Sequence, residues 1–266
     1  MADHNKTRIE KDSLGELEVH ADAWYGIQTA RAIDNFPISG RRPDADCVHA
    51  HIRIKRAAAV ANCQPNWLNE QQRDAIIEAC DKILAGEHMD QFVVDRFQAG
   101  AGTSHNMNSN EVVANLANVA LGGERGAYSP VNPNDDVNMG QSTNDTIPTA
   151  IRLTALAKLP RLLEAIESMA SEFARLGKQE ADTVKSARTH LQDAVPTTLG
   201  REFNAYAFTL RRVAKQIIAC RDPLCEIGLG GSAAGTGRNT SPGYIENIAR
   251  ELASLTGEAI RPADDL

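Results

Sequence analysis

Apolar positions along this chain recur with the period of a helix. Between residues 69 and 86, Ile76, Ile77, Cys80, Ile83 and Leu84 form one stripe at 3.6-residue spacing. Asn69, with Gln72 three residues on, has the pattern of a capping box, and Gly86 is a natural stop. Residues 47–62 are Ala-rich and carry Lys55 and Arg56, which suits another helix. A third is predicted over 112–121, ended by Gly122-Gly123. After Ser142 the character changes. Leu162, Ile166, Met169, Phe173 and Leu176 step by fours and threes, as do Leu199, Phe203, Tyr206, Leu210, Val213 and Ile217. These read as core seams of long packed helices. A helix over 142–176 would be about 50 Å long, with Pro148 and Pro160 bending it or marking its first turns. Residues 1–45, with Pro37, Gly40 and Pro43, read as irregular, and Leu17-Glu18-Val19 as a short strand at most. Residues 126–140 read as a long polar loop. No period-2 pattern is long enough for a large sheet, so the predicted fold is mainly α, with a boundary between 1–141 and 142–266.

Composition narrows the class. Hydrophobic residues make up 42% of the 266, enough for a sizeable core. Lys and Arg number 28 against 35 Asp and Glu, a net charge of −7, which argues against non-specific nucleic-acid binding. The five cysteines, at 47, 63, 80, 220 and 225, are scattered and form no C-x-x-C, the usage of a reduced cytoplasmic protein. No apolar run approaches the roughly 18–20 residues of a membrane span, and the polar N-terminus lacks the apolar run of a signal peptide. Cytoplasmic location, with neither nucleic acid nor membrane as partner, is the expectation.

Three segments are polar where packing does not require it. They are Gly102-Thr103-Ser104-His105-Asn106-Met107-Asn108; Asn132-Pro133-Asn134-Asp135, continuing to Gln141-Ser142-Thr143-Asn144-Asp145; and Arg188-Thr189-His190-Leu191-Gln192-Asp193. Each alone reads as a helix cap or turn. Together they offer hydroxyl and amide donors suited to a small dianion, above all at a helix N-terminus. Other patterns lead nowhere. Gly228-Leu229-Gly230-Gly231-Ser232-Ala233 has the look of a dinucleotide loop, but no predicted strand precedes it, and it reads as a turn between bundle helices. His49 and His51, two apart on a helix, point in different directions and are not a metal pair. There is no H-E-x-x-H and no Walker loop, so neither metal nor cofactor is expected.

The chain resembles the aspartase/class II fumarase superfamily, and within it the aspartate ammonia-lyases most. The resemblance rests on Ala99-Gly100-Ala101-Gly102-Thr103-Ser104 with Asn106-Met107-Asn108 and Asn110-Glu111-Val112, on Asn132-Pro133-Asn134-Asp135 with Gln141-Ser142-Thr143-Asn144-Asp145, on Arg188 to Pro196, and on Gly235-Thr236-Gly237. It runs from about residue 8 to the last residue. Asn132, where fumarases carry His, and Thr143 within Ser-Thr-Asn point to the aspartase branch. Asp136 departs from both branches, which usually have His there.

The resemblance implies a lyase working by reversible anti elimination. L-aspartate would lose ammonia to give fumarate through an aci-carboxylate, a dianionic carboxylate that preorganised donors stabilise. Thr103, Ser142 and Thr143 would grip the β-carboxylate, and Thr189 the α-carboxylate. Asn144 and His190 would lie near the amino group or α-carboxylate, with His190 the catalytic candidate because an imidazole suits proton traffic. Ser104, Asn106 and Gln192 are further candidates, and Gly230 to Gly235 could approach the substrate. The family also implies a homotetramer around a long central helical bundle, each site assembled from three chains. This sequence covers little more than half of a family member. The signature loop G-S-S-x-M-P-x-K-x-N-P, which carries the general-base serine, does not occur in it. The expectation is therefore a truncated bundle, inactive alone. A class II fumarase is the alternative enzyme, and a non-catalytic helical oligomerisation module the alternative of another kind.

Overall fold

The stripe over 69–86 folds as α3 (Glu70–Leu84). Its capping box is formed in full: the Asn69 side chain accepts from the Gln72 N–H, and the Gln72 side chain reaches back to the Asn69 backbone. These details come from a computed structural model that describes residues 6–266. Elements preceding α3 are the hairpin β1 (Thr7–Asp12) and β2 (Gly15–His20), then α1 (Ile27–Asn35) and α2 (Ala45–Ala61). Following it are α4 (Thr103–Ala120), a π-helical turn (Pro133–Val137) and the 37-residue α5 (Thr143–Gln179). A second hairpin joins β3 (Val184–Thr189) to β4 (Gln192–Thr198). Then come α6 (Leu199–Ala219), α7 (Arg221–Leu224), β5 (Glu226–Ile227), α8 (Tyr244–Thr256) and β6 (Arg261–Pro262). The protein is mainly α, as the periodicity predicts, and the described strands form only three two-stranded sheets.

The chain divides into two compact units, Met1–Thr154 with Cys225–Leu266, and Ala155–Leu224. In the first, α2, α3 and α4 close over a core that includes Ile52, Ile76, Ile83, Phe92, Val112 and Val113. Burial of each such side chain contributes roughly 1.5–3 kcal/mol. The start of α1 is secured from a distance. Its N-cap, Gly26, offers no side chain. Instead the Glu111 carboxylate, fully buried on α4, accepts from the N–H groups of Gly26, Gln28 and Thr29 at 2.8–3.0 Å and from the Thr29 hydroxyl at 2.6 Å. Glu10 adds an acceptor for the Ile27 N–H at 2.8 Å.

In the second unit the later part of α5 meets α6 through Phe173, whose ring lies 6.0 Å from Phe203 and 5.4 Å from Tyr206. Gly200 approaches the Gly177 carbonyl so closely that a Cβ there would collide with it. The predicted seams sit at this contact only in part. Leu162, Met169, Tyr206 and Val213 remain exposed in the single chain. The seam is therefore wider than one α5–α6 pair can cover.

Local expectations change, beginning with the N-terminal stretch read as irregular with a short strand at most, which holds the β1–β2 hairpin and the helix α1. The polar run 103–111 is helix, not loop, because α4 begins at Thr103. The 126–140 loop contains the π-helical turn. There the Asn132 side chain accepts from the Asn134 and Asp135 N–H groups while Asp136 accepts from the Asn132 N–H at 2.7 Å. Asp136 is thus a local cap. A strand, β5, does precede Gly228, although it has two residues, pairs with β6 and is followed by turns rather than a helix.

Candidate active site

Two helix N-termini converge in the first unit. Gly102, at φ 83°, caps α4, and a Cβ on it would stand 2.9 Å from Ile147 Cγ1. The left-handed backbone and the close approach both require glycine. Thr103, exposed, is the first residue of α4, with Ser104 and Asn106 buried behind it. One turn into α4, Asn106 Nδ2 lies 3.4 Å from Thr143 Oγ1, so α4 and the start of α5 are linked.

The first turn of α5 presents the predicted dianion-binding residues together. Ser142 Oγ accepts from the Asn144 N–H at 3.2 Å and Asp145 Oδ1 from the Ser142 N–H at 2.9 Å, a reciprocal cap. Ser142 and Thr143 are half-buried and Asn144 is exposed. The Thr143 N–H, at the first helical position, has no acceptor within the helix. The glycine-rich turn after β5 folds against this end. Asp145 Oδ2 accepts from the Gly230 and Ser232 N–H groups at 3.1 and 2.9 Å, and Asn144 Nδ2 donates to the Ala233 carbonyl at 2.9 Å. Burial raises the Asp145 carboxyl from its ordinary value.

Behind these groups lies a residue that motif reading misses. Lys55 on α2 is fully buried, and its ammonium donates to Asn106 Oδ1 at 2.7 Å, Gln141 Oε1 at 2.8 Å and Asn138 Oδ1 at 3.0 Å. Burial pushes it down to about 7. The signal was a lone lysine among the apolar positions Ile52, Ile54, Ala57, Ala58 and Ala59 of α2. Next to it His51 and His105 stack with ring centroids 5.0 Å apart. Neither His105 nitrogen has a partner, and burial pushes the ring down to about 4. In the unfolded chain that ring takes a proton near its ordinary 6.5, so the unfolded state binds more protons between those values. Stability should fall as pH drops through this window, by roughly 3 kcal/mol from His105 alone. Urea unfolding at stepped pH checks it: H105F should flatten the acid limb, and an unchanged limb would contradict the assignment.

Thr189, His190 and Gln192 lie in the second unit. Thr189 pairs with Gln192, leaving His190 and Leu191 as a two-residue turn with φ of 50° and 60°. Both signs fit a type I′ hairpin, which normally takes Asn-Gly. Holding two ordinary side chains there costs about 1–3 kcal/mol each, and such strain clusters at functional segments. All of Thr189, His190, Leu191 and Gln192 are exposed. Arg188 and Asp193 pair across the strands at 3.0 Å. Among the described residues no group of three or more His, Cys, Asp or Glu converges as metal ligands, and no helix is long and apolar enough to cross a membrane.

The sequence profile of the family described as Lyase matches residues 15–265, and the chain belongs to this family, within the aspartase/class II fumarase superfamily. It is 49% identical over 269 residues to aspartate ammonia-lyase of Pseudomonas aeruginosa, covering 98% of this chain and 56% of that one. It is 45% identical over 252 residues to class II fumarate hydratase of Ralstonia nicotianae, covering 94% and 55%. The crystal structure of fumarate lyase:delta crystallin from Brucella melitensis bound to cobalt matches with a TM-score of 0.94 at 45% identity, covering 98% of this chain and 57% of that one. The chain thus spans little more than half the length of these relatives.

Proposed function

We propose that this chain supplies the carboxylate grip of an aspartate ammonia-lyase, which releases ammonia from L-aspartate to give fumarate. The observation that carries the reading is the first turn of α5. There the hydroxyls of Ser142 and Thr143 and the Thr143 backbone N–H share a helix N-terminus, held from behind by a buried ammonium. Charge that develops on the β-carboxylate as the Cβ proton leaves would be met by these donors and by Thr103. Thr189, His190 and Gln192, on their exposed turn, would act at the α-carboxylate and amino end, with Asn144 completing that side. In the full assembly, a homotetramer by family resemblance, the turn would reach a neighbouring subunit's site. By family resemblance the general-base serine would come from the signature loop, which does not occur in residues 1–266. No cofactor takes part, and the setting is the cytoplasm.

Asn132 favours ammonia-lyase over hydratase, and most of the similar relatives are aspartate ammonia-lyases. The test is product release by the protein of the complete reading frame that contains these residues, given L-aspartate and L-malate separately. Fumarate with stoichiometric ammonia from aspartate alone supports the proposal. Turnover of malate alone makes it a fumarase, and turnover of neither leaves the helical module. For the 266-residue chain itself, the exposed seams on α5 and α6 predict self-association. Light scattering that finds a monomer stable to concentration would contradict this.

A further inference from the structure

All three protons of the Lys55 ammonium go to neutral amide oxygens rather than to a carboxylate. An amide whose oxygen faces a cation must turn its NH2 the other way. Gln141 therefore donates to the carbonyls of Val137 and Met139, at 2.9 and 3.3 Å, which ties down the segment entering α5. Asn138 accepts from both Lys55 and Asn106 and donates to the Gln141 carbonyl at 3.3 Å. Asn106 turns Nδ2 toward Asn138 Oδ1 at 3.1 Å and Thr143 Oγ1 at 3.4 Å. A hydroxyl that accepts from Asn106 keeps its own proton for a ligand.

We infer that Lys55 is a positioning residue: acting through Asn106, it sets the direction of hydrogen bonding so that the Thr143 hydroxyl donates outward, toward a carboxylate at the α5 N-terminus. This rests on the proposed reading of that turn as the carboxylate grip. A hydrophobic residue of similar volume would fill the space under α5 without desolvating a charge. It would not choose between the two orientations of Asn106. The other groups facing Lys55 are the Asp145 carboxyl on α5, the Cys80 thiol on α3, His105 on α4 and His51 on its own helix. Burial pushes both imidazoles down and the thiol up.

Two variants in the protein of the complete reading frame test this. K55M removes the charge and keeps the stem. N106D keeps the oxygen facing Lys55 and puts an acceptor where the donor to Thr143 was, so that the Thr143 proton turns inward. Both should lower kcat about 100-fold with KM changed only a few-fold and a cooperative melt retained. A folded N106D with kcat within twofold of the unmodified enzyme overturns the inference. If the unmodified enzyme turns over neither substrate, the proposed function fails separately, and NMR on the 266-residue chain decides. The nuclear Overhauser contact from Asn106 Nδ2 protons to the Thr143 side chain should be present in the unmodified chain and absent in K55M, and its persistence overturns the inference. Should K55M not melt cooperatively, the same contact is followed in the unmodified chain from about pH 6 to about pH 9, with the midpoint read from the Lys55 nitrogen. Loss of the contact at that midpoint supports the inference, and a contact indifferent to it overturns it.

Discussion

In the protein of the complete reading frame, replacing Thr143 by Val should lower kcat for fumarate formation by about 10²–10³-fold and leave the melting temperature nearly unchanged. Valine keeps the branched shape at the first position of α5 and removes one hydroxyl. The lost bond in the resting protein is the 3.4 Å contact from Asn106, a long one that adds little to stability. In the proposed reaction the same hydroxyl would face a carboxylate that gains a second negative charge, where a fixed donor counts for several kcal/mol. The separation of the two readouts is what matters. Steady-state kinetics showing a raised KM with unchanged kcat would mean that Thr143 binds ground state and transition state alike. An unaltered kcat/KM would remove Thr143 from the site.

The largest structural effect is expected at Glu111. Glu111→Ala should destabilise the protein by roughly 3–5 kcal/mol, because it leaves the buried N–H groups of Gly26 and Thr29, the buried Thr29 hydroxyl and the part-buried Gln28 N–H around an empty volume. Gln is a graded control. It retains an oxygen for some of these donors and opposes the rest with its own NH2, so its loss should lie between those of wild type and Ala. Chemical denaturation measures both. A loss under about 1 kcal/mol for E111A would mean that water or a rearranged α1 replaces the carboxylate.

What the sequence made legible was local. The start of α3 could be read because every group that caps it lies within four residues. The long α5 could be read because its apolar stripe is regular. The start of α4 could not, because its Gly, Ser and Asn residues look like a turn when taken singly. They lie within the protein instead, and Asn108, Glu111, Asn115 and Asn118 recur by three and four, a polar stripe at helical spacing. Each secures distant backbone: Asn108 the Gln91 carbonyl and Val93 N–H, Asn115 the Trp24 carbonyl and Gly126 N–H, Asn118 both backbone groups of Val131. Periodicity was present, but in the wrong chemical class to be counted. The candidate site divides the same way. Ser142, Thr143 and Asn144 were found as a motif and share one turn. Lys55 belongs to no motif, and its importance lies in which oxygens surround it, information that only the fold contains. The second hairpin escaped notice because His190-Leu191 is not the pair its turn prefers.

That turn also limits how the proposed site can vary. A residue at 190 is filtered first by whether it tolerates a left-handed backbone and only then by what its side chain does. Asn, Asp and Gly pass cheaply, and β-branched residues are nearly excluded whatever their chemistry. Directed evolution at this position would therefore sample a narrower alphabet than the genetic code offers. Leu191→Gly, by removing the strain at 191 itself, would free stability to offset a costlier residue at 190.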